Sequence, residues 1–166
     1  MTHSLPEWLP ELLDTNGSWD EILERLYSVF TSDFVTNRPR CDGLPVLPDG
    51  KKLDGDSHEE GFWHLITKTD PQTRDRLLDA PRAKRLGWCR ATIENCHPPD
   101  VLVFDYEEGS GRLRRYLWLH ECDYLVVLEK RKSGGKATAY MLITAFYLDG
   151  PSSRRRIRKK YDARAT

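Results

Sequence analysis

Four runs of β-forming residues crowd the second half of this chain, at 101–106, 113–119, 124–129 and 139–148. The links between them are short. Gly109-Ser110-Gly111 joins the first two, Glu121-Cys122-Asp123 the second and third, and Ser133-Gly134-Gly135 the last two. Parallel neighbours need a crossover of a dozen or more residues, so such links predict an antiparallel meander. Residues 124–128 and 141–148 are apolar enough to be central strands with helices packed on one face.

The first half reads differently. Trp8, Leu9, Leu12 and Leu13 would share one side of a short helix over 5–13, stopped by Asn16-Gly17. Ser18 with Glu21 three residues on is a capping-box pattern. It predicts a second helix over 19–31 with Ile22, Leu23, Leu26, Val29 and Phe30 inward. Residues 37–60 carry Pro39, Gly43, Pro45, Pro48, Gly50 and Gly55, which predicts short extended pieces joined by turns. Asp70-Pro71 reads as a helix start, and Pro81 opens another helix that ends near Asn95. The expected architecture is α+β. N-terminal helices (1–36) precede a domain over 37–166 made of a four-stranded antiparallel sheet and a basic C-terminal tail, itself either helical or disordered.

Net charge is zero, but the two parts differ. Residues 1–60 hold 5 Lys/Arg against 13 Asp/Glu, a net of −8, and residues 61–166 hold 21 against 13, a net of +8. The basic part suits phosphate-bearing partners, and pairing between the two parts is the alternative. No apolar run approaches the roughly twenty residues that span a bilayer, so no membrane partner is expected. Met1-Thr2-His3-Ser4 does not begin a secretory signal, so a cytoplasmic protein with reduced thiols is expected. Cys41, Cys89, Cys96 and Cys122 include no Cys-x-x-Cys pair. A zinc set of Cys89, Cys96, His97 and Cys122 matches no common spacing, and no EF-hand loop is present, so no metal or cofactor is expected.

The candidate chemistry lies in five segments. His64 sits in Gly61-Phe62-Trp63-His64-Leu65-Ile66-Thr67, which reads as strand-like; a structural histidine bonded to a carbonyl is the plain alternative. Arg82 and Arg85, three apart on a predicted helix, share a face, while Lys84 points elsewhere. Thr144 interrupts an apolar strand. Alternation puts it with Tyr140, Leu142 and Phe146, and Tyr147 joins it only if the strand bulges or ends there. Arg112, Arg114 and Arg115 flank a turn, and Tyr116 and Trp118 share a strand face that either covers the core or stacks bases. Arg154, Arg155, Arg156, Arg158, Lys159 and Lys160 end the pattern as a cluster suited to phosphate attraction.

The markers Phe62-x-His64-x-Ile66-Thr67, Arg82-x-x-Arg85-x-x-Trp88, Tyr116-Leu117-Trp118-Leu119 and Leu142-Ile143-Thr144-Ala145-Phe146, in this order, resemble the barnase, EndoU, colicin and RelE-like nuclease fold, in its bacterial and prophage-borne branch. The resemblance spans roughly residues 44–161. It implies metal-independent cleavage of RNA, often by a toxin or antiphage effector with a cognate antitoxin or immunity protein. His64, Arg82, Arg85, Thr144 and Tyr147 would then be catalytic, with Lys84, the β-turn arginines and the terminal cluster binding RNA. One departure stands out: the second histidine of EndoU-type members has no counterpart in a matching motif, although His97 and His120 are available. The implied reaction is within reach of these residue types. A base takes the ribose 2′-hydroxyl proton, the oxygen attacks phosphorus, and an acid protonates the leaving 5′-oxygen. Histidine suits proton transfer near neutrality, and fixed cations suit the growing phosphoryl charge.

Overall fold

The computed structural model describes residues 5–166, so Met1–Ser4 lie outside it. The N-terminal stretch supplies α1 (Trp19–Phe30), a π-helical turn (Thr31–Thr36), β1 (Arg40–Cys41) and β2 (Leu44–Leu47). Next come α2 (Glu60–Ile66), the hairpin β3 (Thr67–Thr69) and β4 (Arg76–Leu78), α3 (Ala80–Lys84) and α4 (Leu86–Glu94). The meander follows as β5 (Leu102–Glu107), β6 (Leu113–Leu119), β7 (Tyr124–Ser133) and β8 (Lys136–Tyr147), and α5 (Gly150–Asp162) closes the chain.

The α+β class and the antiparallel order β5 to β8 agree with the sequence pattern. The sheet, however, has six strands, in the order β1-β2-β8-β7-β6-β5, and β2 runs parallel to β8. That pairing joins segments about ninety residues apart, a distance that local turn signals do not report. Helices also cover both faces. On one, Ile22, Leu26 and Phe30 of α1 and Leu86, Cys89 and Ile93 of α4 pack with Phe62 and Ile66 against Leu117, Val126, Leu128 and Tyr140. Each fully buried large apolar side chain there contributes roughly 1.5–3 kcal/mol.

On the other face, the segment expected as a tail is helix α5. Its buried Ile157 packs with Phe104, Tyr116, Trp118, Leu125 and Val127. Tyr161 meets Phe104 edge-on at 5.3 Å, and Ala165 N–H donates to Asp105 O at 2.8 Å, tying down the end. Ile157 and Tyr161 lie four apart, enough for one apolar stripe on an otherwise basic helix.

Two predicted helices are absent. Residues 5–13 form turns and extended chain because Pro6 and Pro10 withhold N–H groups a helix needs. The backbone bonds go elsewhere: Leu13 N–H donates to Lys84 O at 2.9 Å, and Pro10 O accepts from Trp88 Nε1 at 2.9 Å. Asp70-Pro71 starts no helix. Asp70 Oδ1 accepts from Gln72 N at 2.8 Å and Thr73 N at 3.1 Å, closing the turn between β3 and β4. The same side-chain-to-backbone bond serves a turn or a helix start, and here no apolar face follows to make the helix worthwhile. Ser18 does cap α1, accepting from Glu21 N–H at 3.2 Å.

Candidate active site

The site is built where β8 runs out of partners. β2 pairs with β8 only at Tyr140 and Met141, so the rest of the strand has a ladder neighbour on the β7 side alone. Against this edge lie α2, β3 and α3. Gly61 fixes the approach of α2: a Cβ there would stand 2.7 Å from the backbone N and O of Asp49, so only glycine lets the helix sit this close. Asp79 starts α3 by accepting from Arg82 N–H at 3.3 Å, with Pro81 in the first turn.

An open cleft of about 360 Å³ results, lined by His64, Thr67, Lys68, Thr69, Arg76, Arg82, Ile143 and Thr144. His64 lies in α2, not in a strand, and about half of its side chain is exposed. Helical spacing brings Glu60, four residues earlier, beneath it. Glu60 Oε2 stands 3.6 Å from His64 Nε2, an electrostatic contact just beyond hydrogen-bond reach, and His64 Nδ1 has no hydrogen bond among the described residues. Glu60 is buried and its carboxylate is held by Arg76, whose Nη2 donates to Oε2 at 2.9 Å.

Arg82 is partly committed to scaffolding. Its Nη1 donates to His64 O at 2.9 Å and Thr67 O at 3.0 Å, and its planar group lies 5.6 Å from the Phe146 ring centroid. Its Nε–H is buried with no hydrogen-bond acceptor, because Asp79 Oδ2, at 3.5 Å, supplies charge but not alignment. Burial lowers the Arg82 pKa below the usual arginine value, and the charges of Asp79 and then Tyr124 oppose that shift.

Thr144 reaches the cleft because of a bulge. Val127 pairs with Thr144 but Leu128 pairs with Leu142, so the chain gains a residue at Ile143. Strict alternation therefore fails. Tyr140, Leu142 and Ala145 belong to the helix-side core, whereas Thr144 turns to the other side with Phe146. The bulge does not bring Tyr147 to Thr144. Tyr147 lies under Arg85, whose guanidinium carbon is 4.0 Å from its ring centroid. Arg85 is the residue between α3 and α4, and its Nη1 donates to Pro81 O at 2.8 Å. The helix break thus separates Arg85 from Arg82, and neither Arg85 nor Tyr147 lines the cleft. Lys84 does not line it, and neither His97 nor His120 does; His120 Nε2 sits 3.0 Å from Pro99 O.

Of the ten cations expected to bind RNA, five are engaged with carboxylates. Arg115 holds Asp105 and Asp42, Arg112 and Arg114 hold Glu129, Arg154 holds Asp123, and Lys160 holds Glu108. Burial, then the Tyr116 and Lys160 bonds, bear on Glu108, with the net effect of lowering its pKa. Tyr116 and Trp118, both 3% exposed beneath α5, have no face free for a base. Arg158 lies over Trp118 at 5.1 Å, while Arg155, Arg156 and Lys159 are exposed without an ion pair among the described residues. Arg156 also borders a second recess of about 230 Å³ between α5 and the sheet, which shares Thr144 with the cleft.

Three residues of the cleft, Lys68, Thr69 and Arg76, escaped the sequence reading, as did Glu60 beneath His64. The Glu60–His64 spacing of four is the signal that a helical reading of α2 would have exposed. Among the described residues no group of three or more His, Cys, Asp or Glu is placed to hold a metal, and no helix is long and apolar enough to cross a membrane. No protein family, curated protein or solved structure matches this chain.

Proposed function

We propose that this protein is a ribonuclease that cleaves RNA by 2′-hydroxyl transesterification without a metal. The observation that carries the reading is the gathering of His64, Arg82 and Thr144, far apart in sequence, around one open cleft. His64, steadied electrostatically by Glu60, takes the 2′-hydroxyl proton. The oxygen attacks phosphorus and the bond to the 5′-oxygen breaks, leaving a 2′,3′-cyclic phosphate. The Thr144 hydroxyl and the Arg82 guanidinium donate to the phosphoryl oxygens as their charge grows. Lys68, exposed and without an ion pair among the described residues, supplies the proton to the leaving oxygen. A toxin or antiphage role acting in a bacterial cytoplasm, with an antitoxin or immunity protein as partner, follows from the resemblance alone.

A catalytically silent RNA-binding module is the second reading. It is favoured by the single imidazole in the cleft and by the bonds that tie Arg82 to the backbone. One experiment separates the two. RNA is incubated with the protein in excess EDTA, beside His64→Ala. The enzyme reading expects cleavage that survives EDTA and falls about 10²-fold or more in the folded variant. Activity that disappears in EDTA and returns with magnesium defeats the proposed chemistry. Binding without cleavage selects the module.

A further inference from the structure

Beside the His64 cleft, away from α5, lies another recess of about 290 Å³, bounded by Trp19, Asp56, Trp63, Thr67, Arg76 and Leu78. Thr67 and Arg76 line both, so the two recesses adjoin. Their chemistry differs. The cleft offers cations and hydroxyls, and the notch offers two indoles and a leucine. Trp63 is fixed, because its Nε1 donates to Asp56 Oδ2 at 2.7 Å. Trp19, the first residue of α1, is 46% exposed, so its indole is open to a ligand. The Asp56 carboxylate, held below the usual range mainly by the His58 N–H bond, keeps phosphate out of this half.

We infer that the Trp19–Trp63 notch is a base-binding subsite for the nucleotide next to the scissile phosphate. This inference rests on the ribonuclease reading and adds where the substrate's base goes. A nucleotide carries an anionic part and a flat aromatic part a few ångströms apart. The joined recesses present a cationic part and an aromatic part in the same relation, with Arg76 at the junction. Stacking tolerates any base, because every base has a π-face, so the subsite contributes affinity with weak sequence preference. The spare lone pairs of Asp56 favour a base that turns an amino group towards it.

The test uses the full chain, a short 2′-O-methyl oligoribonucleotide that cannot be cut, and a cleavable strand of the same sequence. Trp19→Ala should weaken binding roughly tenfold, the loss typical of one base–aromatic contact. KM should rise by a similar factor while kcat moves little, and Trp19→Phe should restore most of both. An oligonucleotide with an abasic position at the contacted site should bind the native protein and Trp19→Ala alike. Unchanged binding by Trp19→Ala, in a native protein that binds and cuts RNA, overturns the subsite and leaves the ribonuclease reading standing. An equal loss on the abasic strand also overturns it, since Trp19 would then be holding something other than a base. A native protein that neither binds nor cuts RNA overturns both readings together.

Discussion

Along β6 and α5, Arg114, Arg115, Arg154 and Lys160 each reach a carboxylate at 3.0–3.3 Å, whereas at the edge of β8 Lys68 reaches none and Arg82 is turned to backbone carbonyls. The first region holds the densest run of positive charge in the sequence, and the second holds three scattered cations, Lys68, Arg76 and Arg82, and a histidine. Yet part of that charge is neutralised in place: Arg112, Arg114 and Arg115, with Arg154 and Lys160 of α5, hold carboxylates. These five brace neighbouring strands and dock α5, which leaves the exposed Arg155, Arg156, Arg158 and Lys159 as the charge available to a phosphate. The edge of β8 keeps its cations beside an open cleft. Counting cations along a chain measures the potential for attraction; the carboxylates that fold against them decide how much remains.

The sharpest way to break this contrast is at Arg115. Its side chain is 18% exposed and donates from Nε to Asp105 Oδ1 at 3.0 Å. A second bond joins it to Asp42, and its guanidinium carbon lies 5.4 Å from the Tyr140 ring centroid. Burial works against its charge, but the Asp105 bond and charge, with Tyr140 and Asp42, prevail and raise its pKa. Arg115→Gln leaves two carboxylates without their partner. Removing one member of a buried pair costs about 3–5 kcal/mol, and partial exposure here brings the expected loss to about 2 kcal/mol. A denaturant melt reads this loss, and the salt dependence of RNA binding should stay as it was. A flatter salt slope with unchanged stability would make Arg115 an RNA ligand instead.

The meander was legible in the sequence because each turn and each alternation there is local. The features that create the cleft were not. α2 is only seven residues long and contains Phe62, Trp63 and Ile66, so its composition favours a strand, and the Glu60–His64 pairing is hidden with it. The bulge at Ile143 leaves no mark in an apolar run, yet it decides which side Thr144 faces. Arg85 was lost from the site because α3 stops at Lys84, a break that no proline or glycine at that point announces. The parallel partnership of β2 ends at Met141, and this makes β8 an edge; no local pattern encodes it. What chemistry the residues can perform was readable, but which of them meet depends on long-range pairing and on one extra residue in a strand.

α5 sharpens the comparison from the other side. Arg155, Arg156 and Lys159 are its exposed cations with neither an ion pair nor a ring contact among the described residues, in contrast to Arg154 and Lys160, which hold carboxylates, and Arg158, which lies over Trp118. If free charge alone meets RNA, replacing these three with Gln should lower the salt slope by about 2, at about 0.7 per phosphate contact on a single strand. Folding stability should change by less than about 0.5 kcal/mol, as for surface positions generally. A salt titration of binding beside a thermal melt measures both. An unchanged slope would show that α5 serves the fold and not the RNA.

The smallest expected effect concerns an acid that lacks what the β6 and α5 carboxylates have. Asp33, in the π-helical turn, is half-buried, and desolvation pushes its pKa up to about 6 even though the charge of Arg90 opposes this. Arg90 is already engaged, with Nη2 3.3 Å from Glu94 Oε1 and Nε bonded to Asn37 O at 2.8 Å, so it compensates only in part. The sign follows from linkage. Between about pH 4 and pH 6 the folded state keeps a proton that the unfolded chain has released. Stability therefore falls as pH rises through this window, and the cost is complete above about pH 6. Asp33→Asn removes the ionisation. It should stabilise the protein by about 1 kcal/mol at neutral pH, after allowance for solvent screening, and by nothing below about pH 4. Thermal melts of both proteins across this range supply the measurement. A variant that is less stable at neutral pH would mean that Arg90 does hold Asp33 as a working ion pair, and the line drawn here between paired and unpaired charges would have to move.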